Sequence, residues 1–284
     1  MAAKFIGAHM PTSGGIGGAI REGKAIGCTS VQVFTSSPRQ WKSVMPSEDK
    51  VKDYQESLVV TGIKSTVSHD SYLINLADSD AERREKSKQG LLGEMKRCSL
   101  YGVPYVVSHM GAHLGQGEDE GLHQVAEAAL EILAEAPQDV TLLMETTAGQ
   151  GTCLNYKFEH LAKVFALTQS PNRLQICIDT CHLFAAGYDL RTESSYHETF
   201  KIFDDLVGVD KIKVIHCNDS KKPLGSRVDR HENLGDGAIG ALAFKLLVND
   251  PRFEQVPIIV ETPIEDDGHA KNVAKLWKWC DAPK

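Results

Sequence analysis

TLLMETTAGQGTCLNYKFEHLAKVFALTQSPNRLQICIDT, residues 141–180, sets two short apolar runs around an amphipathic stretch. TLLMET (141–146) and LQICIDT (174–180) read as buried strands, and FEHLAKVFALTQ between them carries a helical period. The helix is long enough for a crossover, so the unit is β/α/β and its strands are parallel. The same alternation extends in both directions. Strand-like runs recur at KFIGAHM (4–10), SVQVFTS (30–36), STVSHD (65–70), YVVSHM (105–110), KVIHCN (213–218) and PIIVETP (257–263). Helical patterns such as SEDKVKDYQESLVV, DAERREKSKQGLLGEMKRCSL, LHQVAEAALEILAEA and YHETFKIFDDLVG lie between them. Eight β/α units predict a TIM (β/α)8 barrel over residues 1–284 as a single domain, with a doubly wound open sheet as the weaker alternative.

A chain of 284 residues suits one barrel, and no linker or shift of composition marks a second domain. Its 42% hydrophobic and 24% charged residues are globular values that exclude disorder and collagen. No apolar run approaches the roughly 18 residues of a membrane span, and MAAKFIGAHM lacks the apolar core of a secretion signal. The expectation is a soluble, cytoplasmic monomer. Seven scattered Cys argue against a disulfide framework. A net charge of -7 disfavours a polyanionic partner unless local charge holds it.

The strand ends carry the chemistry. His69, His109, Glu145, Asp179 with His182, His216 and Glu261 each end or closely follow a run, and His9 ends the first. In a TIM barrel the carboxyl ends of all strands converge on one face, so these residues are expected to cluster. One such residue is usually only a polar group where a strand meets solvent. A whole ring of them would be unsatisfied without cations. In SRVDRHENLG, Asp229 and His231 are one residue apart, and in an extended segment such a pair shares a face. Nine candidate ligands exceed what one ion takes, so two or three metals are expected. Mixed N and O donors suit Zn, Mn or Fe better than Mg. Sites with metals roughly 3.5–4 Å apart serve phosphoryl hydrolysis, and three divalent ions would outweigh the four carboxylates to leave a positive mouth on an acidic chain.

The loops of the same face carry Arg39 and Trp41 (SSPRQWKS), Tyr72 and Leu73 (HDSYLINLA), and Lys221, Lys222, Arg227 and Arg230 (DSKKPLGSRVDRHE). Basic groups beside apolar wedges suit a duplex held by its phosphates and opened at a lesion. Thiolate ligation by Cys177, Cys181 or Cys217 is disfavoured, because Cys217 should face away from its neighbour His216 and no second Cys pair completes a site. His113 is expected to support the site from behind. GGIGGAI (14–20) lacks the acidic partner of a dinucleotide motif and reads as a tight turn.

HDSYLINLA (69–77), CIDTCHLFAAGYD (177–189) and HCNDSKKPLGSRVDRHENLGDG (216–237) resemble the signature motifs of the endonuclease IV family of apurinic/apyrimidinic (AP) endonucleases. SHMGAHLGQG (108–117) and ETTAGQGT (145–152) add to the likeness, whose layout spans nearly the whole chain. The resemblance implies a trinuclear zinc enzyme, with Mn2+ or Fe2+ admitted at one position, that cuts damaged double-stranded DNA 5' to abasic sites. It further implies one zinc at His69 and His109, a second at Asp179, His216 and Glu261, and a third at His182, Asp229 and His231. Glu145 would bridge the first two, and Glu145 and Glu261 would be the catalytic carboxylates. Arg39, Tyr72 and Leu73 would penetrate the duplex, with Pro38 altering the loop around Arg39. Two competing readings remain. A xylose-isomerase-like isomerase or epimerase would use Glu145, Asp179, His216 and Glu261 for one metal and leave the other five residues idle. A binding protein without catalysis would require a closed site.

Overall fold

The computed structural model describes residues 4–41 and 44–280. Eight parallel strands close into a barrel: β1 (Ile6–His9), β2 (Ser30–Val33), β3 (Ser65–His69), β4 (Tyr105–Ser108), β5 (Thr141–Glu145), β6 (Leu174–Asp179), β7 (Ile212–His216) and β10 (Ile258–Val260). A two-stranded antiparallel hairpin, β8 (Asp219–Ser220) and β9 (His231–Glu232), rises after β7. Around the barrel run α1 (Gly15–Ala25), α2 (Glu48–Thr61), α3 (Ala81–Tyr101), α4 (Glu118–Glu135), α5 (Phe158–Thr168), α6 (Thr180–Ala186), α7 (Glu193–Leu206), α8 (Ala241–Asn249) and α9 (Gly268–Trp279). The barrel prevails over the open sheet because β1 pairs with both β2 and β10, which leaves no edge.

Alternation along each strand divides the side chains into two cores. Val67, Val107, Leu143, Cys177, Val214 and Ile259 form a small cluster of their own inside the barrel, separate from the large core that the strands share with the helices. Burying each of the aliphatic members contributes about 1.5–3 kcal/mol. Two residues beyond these, at the strand end or one position past it, stand His69, His109, Glu145, Asp179, His216 and Glu261. Period two therefore puts a polar layer directly above an apolar floor, at the carboxyl ends. Gly7 shows how close the packing is, since a Cβ there would lie 1.7 Å from the Ser30 carbonyl oxygen.

GGIGGAI departs from its expected turn. Only Gly14 precedes the helix, and the rest opens α1. One of its glycines serves packing: a Cβ on Gly17 would meet the Asp53 carboxylate of α2 at 2.0 Å, whereas Gly14, Gly15 and Gly18 face open space. The segment between β9 and α8 is held by Asp219, whose fully buried carboxylate accepts N–H groups from Gly235, Gly237 and Ile239 at 2.9, 3.1 and 2.9 Å. Backbone amides here replace the cation that a buried carboxylate otherwise needs.

Candidate metal centre and nucleic-acid face

All nine sequence-derived ligand candidates meet at the barrel mouth. Their donor atoms form three groups within which every pair lies no more than 4.8 Å apart: His69, His109 and Glu145; Glu145, Asp179, His216 and Glu261; and His182, Asp229 and His231. Glu145 is fully buried and belongs to the first two. Its Oε2 lies 3.1 Å from both His69 Nε2 and His109 Nε2, and its Oε1 lies 2.9 Å from His216 Nδ1. His216 Nδ1 also faces Glu261 Oε2 at 3.1 Å. In the third group Asp229 stands between His182 Nε2 at 3.2 Å and His231 Nε2 at 3.1 Å. Asp179 adjoins both sets: it caps α6 by accepting the His182 N–H at 2.8 Å, and its Oδ2 is 3.7 Å from His231 Nε2.

The rings are oriented from behind. His69 Nδ1 donates to the Asp70 carbonyl at 3.0 Å, His182 Nδ1 to the Thr146 carbonyl at 2.8 Å, and His231 Nδ1 to the Glu261 carbonyl at 3.0 Å. With Nδ1 donating, each of these rings turns its other nitrogen toward the cluster, and that nitrogen is bare once the imidazole is neutral. That is how proteins present histidine to a metal. His231 Nε2 is buried with no hydrogen-bond partner despite the carboxylates around it. A nitrogen and several carboxylate oxygens aimed at one point without hydrogen-bond geometry fit a cation between them.

The electrostatics agree. Burial opposes charge throughout, yet the hydrogen bond and charge of Glu145 hold His69 up at about 10. Against its burial, Asp179 and Asp229 keep His231 at about 9. Burial would raise Glu145, but His109 and His216 hold it well below the usual carboxylate range. Protons on the imidazoles thus balance the carboxylates, a task that bound cations would take over. The mouth opens into a cavity of about 440 Å³ whose lining includes His9, Phe34, Tyr72 and Ile264.

A family model described as a xylose isomerase-like TIM barrel matches residues 20–281. "Probable endonuclease 4" of Chloroflexus aggregans is 48% identical over 262 residues, covering 92% of each chain. The chain belongs to the endonuclease IV family. The crystal structure of endonuclease IV from Thermus thermophilus superposes with a TM-score of 0.86 at 35% identity, covering 98% of each chain. A D-tagatose 3-epimerase-like protein matches with a TM-score of 0.73 at 15% identity over 98% of this chain and 97% of its own, a likeness of fold alone. The residues an epimerase reading leaves idle stand in the same mouth as the others.

On the surrounding face, Arg39 and Tyr72 are exposed, while Leu73 is half-buried. Pro38 acts through its carbonyl, which accepts the Tyr72 N–H at 3.1 Å and the Ser71 hydroxyl at 2.9 Å, tying the loops after β2 and β3 together. Tyr72 stands edge-on to Phe34, with ring centroids 5.5 Å apart and 62% of the residue exposed above the cavity. Lys221, Lys222, Arg227 and Arg230 are exposed on the β8–β9 hairpin and its loop, with Arg227 over the Tyr156 ring at 4.6 Å. Trp41 is exposed, with the Lys86 ammonium over its ring at 4.4 Å.

Two expectations change. His113 does not reach the centre: its Nδ1 accepts the N–H groups of Gly115 and Gly117 at 3.3 and 3.2 Å and shapes its own loop. Cys181 stands nearer than expected, within 4.8 Å of donor atoms of Asp179 and His231, although burial pushes its thiol up to about 12. Cys217 lies in the outer core, away from the mouth. Sequence reasoning missed Gln32 and Asn218. Asn218 donates to Asp179 Oδ2 at 2.6 Å and accepts the Glu261 N–H at 2.7 Å. The strand-end rule would have found Asn218, had it been applied to amides, whereas Gln32 lies inside its run and only its polarity among Val31 and Val33 marks it.

Among the described residues, no helix is long and apolar enough to cross a membrane.

Proposed function

We propose that this protein is a three-zinc AP endonuclease that hydrolyses the phosphodiester bond 5' to abasic sites in duplex DNA, leaving a 3'-hydroxyl and a 5'-deoxyribose phosphate. That it is a nuclease, a hydrolase of DNA phosphodiester bonds, follows from its family. The observation that carries the finer reading is that nine His, Asp and Glu residues fall into three donor groups, six of them lining one open cavity with Glu145, Asp179 and His216 buried beneath it. His69 and His109 would hold one zinc, Asp179, His216 and Glu261 a second, and His182, Asp229 and His231 a third, with Glu145 bridging the first two. The donor set of nitrogen and carboxylate oxygen suits Zn2+, with Mn2+ or Fe2+ as substitutes. When bound, such ions act as Lewis acids that stabilise charge on the phosphoryl group and on the departing 3'-oxygen.

The protein side chains supply the rest. Glu145, fully buried, and Glu261, partly buried, are kept ionised by the imidazoles around them, the form in which a carboxylate can hold a metal. Lys221, Lys222, Arg227 and Arg230 meet phosphates and set the position of the duplex. Arg39, Tyr72 and Leu73 enter the helix where a missing base has already removed stacking, so opening it there costs least.

A labelled abasic duplex tests this directly. Purified protein should nick it without added Mg2+, because ions held by several protein ligands stay with the enzyme. The upstream fragment should be extended at once by a polymerase, as only a 3'-hydroxyl allows. An unsaturated aldehyde end, or an absolute need for Mg2+, would overturn the mechanism. Tyr72→Ala should weaken binding to abasic duplex by about 1–3 kcal/mol, the scale of base–aromatic stacking, while binding to undamaged duplex hardly changes. Equal losses on both duplexes in a titration at fixed salt would reduce Tyr72 to a general contact.

A further inference from the structure

Three of the imidazoles in the centre lean on backbone carbonyls, but His216 leans on a side chain. Its Nε2 lies 2.8 Å from Gln32 Oε1, and Gln32 is fully buried in β2. The other end of the same carboxamide, Nε2, lies 2.6 Å from Glu261 Oε1 and 2.9 Å from His9 Nδ1. A carboxylate only accepts, so the Gln32 nitrogen must be the atom that faces Glu261, since the flipped amide would set oxygen against oxygen. Gln32 Oε1 therefore faces His216, and as an acceptor it requires the His216 ring proton on Nε2. In the neutral ring that a metal requires, the nitrogen left bare is then Nδ1, the atom that stands 2.9 Å from Glu145 Oε1 and 3.1 Å from Glu261 Oε2.

We propose that Gln32 is a positioning residue of the centre: one carboxamide selects the tautomer of His216 and fixes the rotamer of Glu261, so that the ion shared by Asp179, His216 and Glu261 depends on it. The inference rests on the metal reading given above. A buried carboxamide costs free energy unless its bonds are made, and in the run SVQVFTS an aliphatic residue would fill the same space. Gln32 instead spends both ends on two residues of one donor group. His9 completes the arrangement from β1, with its Nδ1 3.1 Å from Glu261 Oε1 and its ring 4.4 Å from Phe34. Glu261 is thereby held on one oxygen by Gln32 and His9, and its other oxygen is left toward the centre.

The test is graded chelation of the purified holoenzyme followed by elemental analysis, for wild type and Gln32→Met, which keeps length and removes both bonds. Wild type should carry three zinc ions per chain. From Gln32→Met one equivalent should leave at roughly 10–100-fold lower chelator concentration, the usual effect of losing an outer-sphere partner, while the other two leave at wild-type concentrations. Release of all three together, or at unchanged concentrations, overturns the inference and leaves the proposed function standing. Wild type free of bound metal overturns the proposed function itself. Nitrogen-15 spectra of the wild-type imidazoles give a measurement that no variant's folding can confound. They should show the His216 proton on Nε2, and a proton on Nδ1 would overturn the tautomer that Gln32 is argued to impose.

Discussion

Glu145→Ala should lower the nicking of abasic DNA by at least about 10³-fold, because the ions it anchors supply several kcal/mol of charge stabilisation. Among the described residues no other belongs to the first two donor groups at once, and its oxygens lie within 3.4 Å of four imidazoles, those of His69, His109, His182 and His216. Removing it should empty two metal positions and leave the group of His182, Asp229 and His231 occupied. Asp229→Ala makes the complementary variant, since its carboxylate reaches only His182 and His231 among the imidazoles and its segment enters from the hairpin. That variant should lose one ion and keep the pair around Glu145. Elemental analysis of both proteins decides the matter, and the same metal loss from each would mean that the division into a bridged pair and a separate third ion is wrong.

Glu94→Ala should destabilise the fold by about 3–5 kcal/mol, the cost of breaking a buried ion pair by removing one partner. Glu94 pairs with Arg97 on α3, and both side chains are only 3% exposed. The carboxylate also accepts from the hydroxyls of Thr35 and Ser68, while Arg97 donates to the hydroxyls of Thr35 and Ser36 at 3.0 and 3.2 Å. This network grips the root of the loop that carries Arg39. Affinity for abasic duplex should therefore fall in Glu94→Ala while metal content stays at the wild-type value. Urea unfolding monitored by circular dichroism measures the first effect. A midpoint unchanged from wild type would show that the pair contributes nothing net to stability.

Much of this was legible beforehand for a specific reason. Alternation of apolar runs and amphipathic stretches reports local structure, and barrel closure converts local structure into position: whatever ends a parallel strand arrives at the same mouth. His69, His109, Glu145, Asp179, His216 and Glu261 could be read as one cluster from their places in their runs alone. Asp229 and His231 followed from their spacing, although the hairpin that delivers them was not foreseen. GGIGGAI misled because glycine is a poor helix former judged locally. In the structure α1 packs on α2 through Gly17, a tertiary contact that no local propensity reports. His113 misled in the opposite way, since its partners are the amides of its own loop.

By itself, then, the sequence determined the fold class, the eight strands and the identity of the nine residues that crowd the mouth, because each depends on patterns a few residues long. Only the tertiary structure decided how those residues are aimed. The ring of His216 is set by Gln32, 184 positions away, and Glu261 by Gln32 and His9, 229 and 252 positions away. A hydrogen bond depends on tenths of an ångström and on which atom carries the proton. Neither is defined until closure of the barrel brings β1, β2, β7 and β10 side by side.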